Sequence, residues 1–384
     1  MSVRKRSWTT SKGEQKEAWV VDYSDQLGTR HLKTFARKRD ADAYHAQAVV
    51  DVGAGVHTPD SRAITITEAG ELWLAGREAA ALERSTLDQY RNHLDLHISP
   101  LIGKTKLSAI TVPFVRAFED RLREDRSPAM VLKIMVSLSS ILSDAQERGL
   151  VAQNATHRLR AKRQKDSGRQ KHRLQIGVDI PAPAEIRAVI TKLEGRWRPM
   201  LLTAIFTGLR ASELRGLSWN DADLQRAKLH VRQRADHYGK LDRPKSSSGA
   251  RTIPLLPIVV SALREWKLAC PPSSHNLAFH GGGSDPISLT YIVRRGWQPA
   301  QIAAGVVNAQ GRAKYPGLHS LRHFYASWCI NRRLDGGLEL PLKVVQSRLG
   351  HATIQMTADR YGHLFPRGDD SAELAAAERA FLEA

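Results

Sequence analysis

The stretch His319-Ser-Leu-Arg-His-Phe-Tyr-Ala-Ser327 sets a histidine and an arginine one helical turn apart, so His319 and Arg322 share a face and can address one point. Working outward, three further segments concentrate functional groups: Thr207-Gly-Leu-Arg-Ala-Ser-Glu-Leu214, Pro244-Lys-Ser-Ser-Ser-Gly-Ala-Arg251, and Leu349-Gly-His-Ala-Thr353 continuing to Tyr361. Each alone has a plainer reading. Gly208-Leu-Arg210 could end a helix with an exposed arginine, and a His–Arg pair on one face is common surface decoration. Together they supply what a phosphodiester reaction without metal needs. Two arginines can clamp the non-bridging oxygens through forked donors and stabilise the transition-state charge. A lysine or histidine can protonate the leaving oxygen. A tyrosine can attack phosphorus and form a covalent ester, given a base or strongly positive surroundings. No paired-carboxylate cluster for magnesium stands out, which disfavours a two-metal nuclease.

Composition agrees with a polyanionic partner. The chain has 384 residues, 58 Lys+Arg against 39 Asp+Glu, and a formal net charge of +19. Hydrophobic residues make up 42% and charged residues 25%, which excludes collagen, a disordered polymer and a disulfide-stapled mini-protein. The two cysteines, Cys270 and Cys329, are too few for a disulfide framework or a thiolate zinc site. A reducing, cytoplasmic location is the simplest expectation. No apolar run approaches the ~20 residues of a membrane helix, and the basic start leads into polar sequence rather than a signal peptide. Nucleic acid is the leading partner and an acidic membrane surface the runner-up.

The charge is uneven. Residues 61–155 carry equal numbers of basic and acidic side chains, whereas residues 156–173 (THRLRAKRQKDSGRQKHR) carry eight basic and one acidic. This run reads as a basic linker, 156–178, between two patterned regions. Arg160, Lys162, Arg163, Lys165, Arg169 and Lys171 are its candidate DNA-contacting residues; the plain alternative is a solvated spacer.

Before the linker the pattern is strand-like, then helical. Residues 18–23 and 30–35 alternate like strands, with Gly28 suited to the turn, and a helix is expected over 39–50. Residues 64–155 read as four helices. Thr67 is the expected cap of the first, which carries Leu72, Trp73 and Leu74. A second runs from about Ser85 towards Ile98, Val112-Pro113 opens a third, and Ser127-Pro128 starts a fourth that Gly149 ends. After the linker, helices are expected over 184–193 and 197–206, strands over 228–235 and 251–254, and helices again after Pro257.

The ordered set Arg210, Lys245, His319, Arg322, His351, Tyr361 resembles the tyrosine recombinase (phage integrase) family. T-G-L-R-A-S-E-L resembles its first arginine box, H-S-L-R-H-F-Y-A-S its second, and L-G-H-A-T-I-Q-M-T-A-D-R-Y its third, with a histidine ten residues before the tyrosine. Lys245 stands where the family places its hairpin lysine. The resemblance implies a site-specific DNA recombinase, an integrase of a phage or other mobile element, that works through a 3′-phosphotyrosyl link without metal, cofactor or ATP. Tyr361 would attack the scissile phosphate, Arg210 and Arg322 would hold it, and His351 would donate a hydrogen bond to it. His319 would act as general base or acid at the tyrosine and Lys245 as general acid at the 5′-oxygen. Glu213 would orient the site.

The resemblance extends to layout. It implies a mainly α chain with small β elements: a small α+β arm-type domain (1–60), a helical core-binding bundle (61–155), the linker, an α+β catalytic domain (179–366) and a tail helix (367–384) that docks on a neighbouring protomer. A third strand of the arm-type sheet is expected near Ser7 to Thr10. The partners it implies are duplex DNA, three further copies of the chain on that DNA, and a directionality factor.

Rival readings follow from single residues. His323 and His363 could join His319 and His351 in a metal cluster, but no carboxylate or cysteine completes a zinc set, so packing roles fit better. Tyr315 and Tyr325 are rival nucleophiles; Tyr325 is expected to pack on the Arg322 helix and Cys329 to be a small buried hydrophobe. A chromosome-dimer resolvase and a type IB topoisomerase-like enzyme share the chemistry, and a non-catalytic DNA-binding regulator shares the fold. The arm-like unit favours integrase over resolvase, the full residue set argues against a regulator, and the lack of a basic amphipathic helix with aromatic anchors argues against a membrane-surface protein.

Overall fold

The structure is a computed structural model that describes the chain except residues 1, 10, 12–13, 26–27, 54, 56, 58–62, 152, 158–172, 283–284, 366–369 and 384. It divides into two compact units, residues 1–169 and 170–384.

The first unit opens with an antiparallel sheet, Ser2–Thr9, Gln15–Ser24 and Arg30–Phe35, in that order. Val21 and Tyr23 on the central strand and Ala41 on the following helix, Lys38–Gly53, form its small core. Gly28 takes φ +79° in the turn, where its N–H donates to the Asp25 carbonyl. The first strand is longer than the expected Ser7 to Thr10. Its sequence, SVRKRSWT, lies almost wholly on the surface and shows no apolar alternation, so its only local signal is its pairing with residues 15–22.

The helical part has its own core, centred on Trp73, Leu94, Ile98, Ile134, Leu138 and Ile141. Helix Ile66–Ala79 is capped by Thr65, not Thr67. Thr65 Oγ1 accepts from Glu68 N–H, and the Glu68 carboxylate takes the Thr65 N–H in return, a reciprocal capping box. Thr67 instead donates to Ser99 Oγ at 3.1 Å. The second helix, Arg84–His93, passes through a wider π turn, Leu94–Ile98, that buries both of its terminal apolar residues. Ser127 caps helix Pro128–Glu147 as expected. At its far end Gly149 takes φ +71° and the Leu150 N–H reaches back to the Ala145 carbonyl. This 20-residue helix is long and apolar enough to cross a membrane by length and composition only. Its stripe from Val131 through Ile134, Leu138 and Ile141 to Ala145 is nonetheless buried in the bundle, as in the core helix of a globular protein.

In the second unit, helices surround two small sheets. Lys228–Val231 lies between Ala222–Asp223 and Arg251–Pro254, and Arg234–Ala235 pairs with Leu241–Asp242. The single strand expected over 228–235 is therefore split. The reason is local: Gln233 turns its amide to the Gly216 carbonyl, and Gly216 lies so close to the Arg234 backbone that a Cβ there would sit 2.6 Å from it. Leu201, Leu202, Ile205, Leu229, Ile253 and Leu263 make the centre of the core. A helix, Asp370–Leu382, forms the tail and leaves Leu374, Phe381 and Leu382 exposed.

Candidate active site

Helix Trp197–Thr207 is apolar nearly all round and accordingly buried. It stops at Gly208, which takes φ +61° and lies against Tyr325: a Cβ on Gly208 would come 2.3 Å from Tyr325 Cδ1. Two constraints thus demand glycine here. Two residues later Arg210 starts the short helix Ala211–Arg215, and its N–H donates to the Glu213 carboxylate at 2.8 Å. The reading of Gly208-Leu-Arg210 as a helix ending in an exposed arginine gives way to a turn between two helices that aims Arg210 inward.

The organising feature is the end of helix Leu342–Leu349. A helix leaves its last carbonyls without partners and concentrates negative partial charge there. Three consecutive carbonyls at this end each accept from a different arginine. Arg348 O accepts from Arg251 Nε at 2.8 Å, Leu349 O from Arg322 Nη2 at 2.6 Å, and Gly350 O from Arg210 Nη2 at 3.0 Å. Gly350 takes φ +66° and has no room for a side chain, with Arg251 Nη1 and Ser248 O each 2.9 Å from its notional Cβ.

Glu213 ties two of these arginines together. Its carboxylate accepts from Arg210 Nη1 at 2.8 Å and from Arg251 at 3.0 and 2.9 Å. Burial alone would raise its pKa; the hydrogen bonds and charge of Arg251, with Arg210, outweigh burial and hold it below the ordinary carboxylate value. Arg322 is buried, donates also to Gly208 O at 2.7 Å, and has its pKa lowered to about 10 by burial and the neighbouring Arg210 charge.

Tyr361 ends the next helix, Ile354–Tyr361, and is 1% exposed. Its hydroxyl lies 2.8 Å from His323 Nδ1. Burial pushes the phenol up to about 12, against the pull of Arg322, Arg360 and Arg210. The His351 ring stacks parallel to the Tyr361 ring with centroids 6.3 Å apart, and His351 Nδ1 lies 2.9 Å from Thr357 Oγ1. His319 keeps an exposed edge and meets the His323 ring at right angles, centroids 4.5 Å apart. Desolvation by the packed surroundings and the charges of Arg322, Arg360 and Arg210 lower the His319 pKa. Burial and neighbouring cations take His351 to about 4 and His323 to about 3, so these rings are neutral at neutral pH.

Of the residues singled out from sequence, Arg210, Glu213, His319, Arg322, His351 and Tyr361 therefore converge. Lys245 sits on the exposed segment between Leu241–Asp242 and the Ser247–Gly249 turn, and it is this segment that delivers Ser248 and Arg251 to Gly350. Arg160, Lys162, Arg163, Lys165, Arg169 and Lys171 lie outside the described residues. The rival tyrosines are occupied elsewhere. Tyr315 OH donates to Glu185 at 2.6 Å, and both phenols are pushed up by burial. His363 lies 2.8 Å from the Leu174 carbonyl. Two contributors escaped the sequence reading. Arg251 shares the inward face of its strand with Ile253, a period-two signal that was available. His323, given only a packing role, stands four residues after His319 and touches the tyrosine itself.

Comparison with known proteins accords with this geometry. Residues 182–367 match the phage integrase family, and residues 65–123 match the phage integrase N-terminal SAM-like domain. The tyrosine recombinase XerC-like protein of Caldanaerobacter subterraneus is 23% identical, across 95% of this chain and 96% of that protein. Tyrosine recombinase XerC of Xylella fastidiosa is 34% identical over 45% of this chain and 50% of its own length. Among solved structures, the Tn1549 transposon integrase in complex with a circular intermediate DNA superposes with TM-score 0.64 at 17% identity, over 83% of this chain and 99% of that one. A lambda integrase dimer bound to a core site gives 0.57 at 17% identity, over 92% and 93%. The chain belongs to the phage integrase family, the tyrosine recombinases. It is an enzyme of DNA strand cleavage and religation.

Proposed function

We propose that this recombinase integrates and excises a mobile DNA element, with Tyr361 as the nucleophile. The observation that carries the reading is the Tyr361 side chain set among Arg210, Arg322, His319, His323 and His351, with the arginine forks fixed by three successive helix-end carbonyls. Tyr361 attacks the scissile phosphorus and leaves a 3′-phosphotyrosyl link and a free 5′-hydroxyl. Arg210 and Arg322 hold the phosphate, and His351 donates to it. Lys245 protonates the 5′-oxygen, and Glu213 orients the arginines. The energy of the broken ester stays in the tyrosyl bond, so the ends can be rejoined without ATP.

Duplex DNA is the partner that the excess charge supports. The arm-type domain (1–60), core-binding domain (61–155) and catalytic domain (179–366) act on it together, with Arg160, Lys162, Arg163, Lys165, Arg169 and Lys171 of the basic linker along the phosphates. A tetramer on DNA is the working assembly, a directionality factor is its accessory partner, and the cytoplasm is its place of action. The exposed Leu374, Phe381 and Leu382 of the tail helix support docking on a neighbouring protomer.

A second reading, resolution of chromosome dimers, is favoured by the XerC names of several relatives. Recombination assays separate the two. An integrase joins two unlike attachment sites and needs its N-terminal unit for full efficiency. A dimer resolvase recombines two identical core sites, and deletion of residues 1–60 leaves its efficiency unchanged.

A further inference from the structure

We infer that His323 is a further catalytic residue: its Nδ1 takes the phenolic proton as Tyr361 attacks the phosphate. This rests on the reading of Tyr361 as nucleophile. Three histidines surround that tyrosine, and only one reaches the attacking atom. The His351 ring lies parallel to the tyrosine ring, centroids 6.3 Å apart, with its own Nδ1 directed to Thr357, and His319 meets the His323 ring. His323 Nδ1 is 2.8 Å from the hydroxyl, within reach for direct proton transfer.

The placement is rigid. His323 is buried on helix His319–Ile330, next in sequence to Arg322, whose guanidinium is pinned to Gly208 O and Leu349 O. One helical turn therefore fixes both a phosphate-holding fork and the partner of the nucleophile. Adjacent residues on a helix point about 100° apart, so the two side chains serve different atoms of one site. In the resting arrangement burial and the charges of Arg360 and Arg322 keep the ring neutral, with a lone pair available to the phenol. The same forces keep the proton on Tyr361. A phosphodiester bound to the arginines brings a negative charge that offsets theirs, which raises the proton affinity of the ring when substrate is in place. As the Tyr361 Oη–P bond forms and the P–O5′ bond breaks, the phenolic proton passes to His323 Nδ1. The 5′-oxygen takes its proton from the general acid. On religation the 5′-hydroxyl attacks and returns its proton to the group that supplied it, the tyrosyl ester breaks, and His323 returns its proton to the departing phenolate.

The test uses the full chain on a nicked suicide duplex. His323→Phe fills the site without a base, and His323→Asn keeps a hydrogen-bond acceptor that is not protonated. Both should slow formation of the covalent adduct by roughly 10²–10⁴-fold, the range of general acid–base catalysis, with duplex affinity unchanged. Placing 3,5-difluorotyrosine at position 361, a phenol that ionises far more readily, should restore most of the rate in both variants relative to the same replacement beside His323. Cleavage by His323→Phe within about threefold of the parent, or faster than it, overturns the inference, as does a failure of the acidic phenol to rescue the Asn variant. An adduct formed by Tyr361→Phe would instead remove the nucleophile assignment beneath it.

Discussion

The helical bundle and the catalytic unit each bury a glutamate against two arginines, with different consequences. In the bundle, Glu119 meets Arg123 at 2.5 Å and Arg116 at 3.6 Å, but both arginines stand largely in solvent, 56% and 42% exposed. In the catalytic unit, Glu213 meets Arg251, whose side chain is 4% exposed, and Arg210, which is 36% exposed. The first arrangement pairs one carboxylate with two solvent-exposed chains. The second leaves the cations little freedom, because each also donates to a helix-end carbonyl, Arg251 to that of residue 348 and Arg210 to that of residue 350. A buried ion pair is weak evidence for stability but a strong constraint on geometry. The lesson is that the same residue types anchor a helix in one place and fix the arginines of the proposed phosphate clamp in the other.

The sharpest way to break this comparison is to exchange arginine for lysine on each side. Arg210→Lys should lower DNA cleavage by about 10²–10³-fold or more, since a point charge cannot replace a planar fork that serves Glu213, Gly350 and substrate together. Arg123→Lys should leave cleavage intact and move stability by no more than about 0.5 kcal/mol. Equal effects on cleavage would dissolve the distinction.

Stability should separate the two glutamates next. Glu213→Gln leaves Arg251 buried without its counter-ion and should cost roughly 3 kcal/mol, measured by urea unfolding. Glu119→Gln, whose arginines can turn to water, should cost clearly less. A Glu119 variant as damaging as the Glu213 one would show that arginine exposure is the wrong variable.

Acid should expose a further difference. The pKa of His351, ordinarily 6.5, is lowered to about 4 in the folded chain, so the unfolded chain binds the proton first. Its contribution is fully present above pH 6.5 and is lost as pH falls from 6.5 towards 4. The melting temperature of the parent should therefore fall more steeply across that interval than that of His351→Asn. Parallel curves would contradict the placement of His351.

The smallest effect concerns the linker. Each neutralised phosphate contributes about −0.9 to the slope of log K against log salt. Changing Lys162, Arg163 and Lys165 to glutamine should flatten that slope by roughly two to three units on specific and random duplexes alike, if all three touch phosphates. An unchanged slope would make the run a solvated spacer.

Much of this was legible in the sequence because it is local. Helix ends marked by Ser127-Pro128 and Gly149, the apolar stripe from Val131 to Leu142, and the strand 30–35 depend on neighbours in the chain, and the structure places them as read. Spacing and resemblance together marked six residues in the sequence; five of them, Arg210, His319, Arg322, His351 and Tyr361, lie together, while Lys245 stands on an exposed segment. What could not be read depends on distant chain. Arg251 could be read as inward-facing on its strand, but the carbonyl it meets lies 97 residues later, at the end of another helix. His323 meets Tyr361 across 38 residues, a contact that no helical periodicity around His319 encodes.

The most direct test of the account is to locate the covalent bond. The parent chain is trapped on a nicked suicide duplex, digested with trypsin, and the DNA-linked peptide is identified by mass spectrometry. The account predicts that the oligonucleotide 3′-phosphate is carried by Tyr361, in the peptide Tyr-Gly-His-Leu-Phe-Pro-Arg that follows Arg360. Attachment to the peptide that contains Tyr325, or to any residue other than Tyr361, would contradict it.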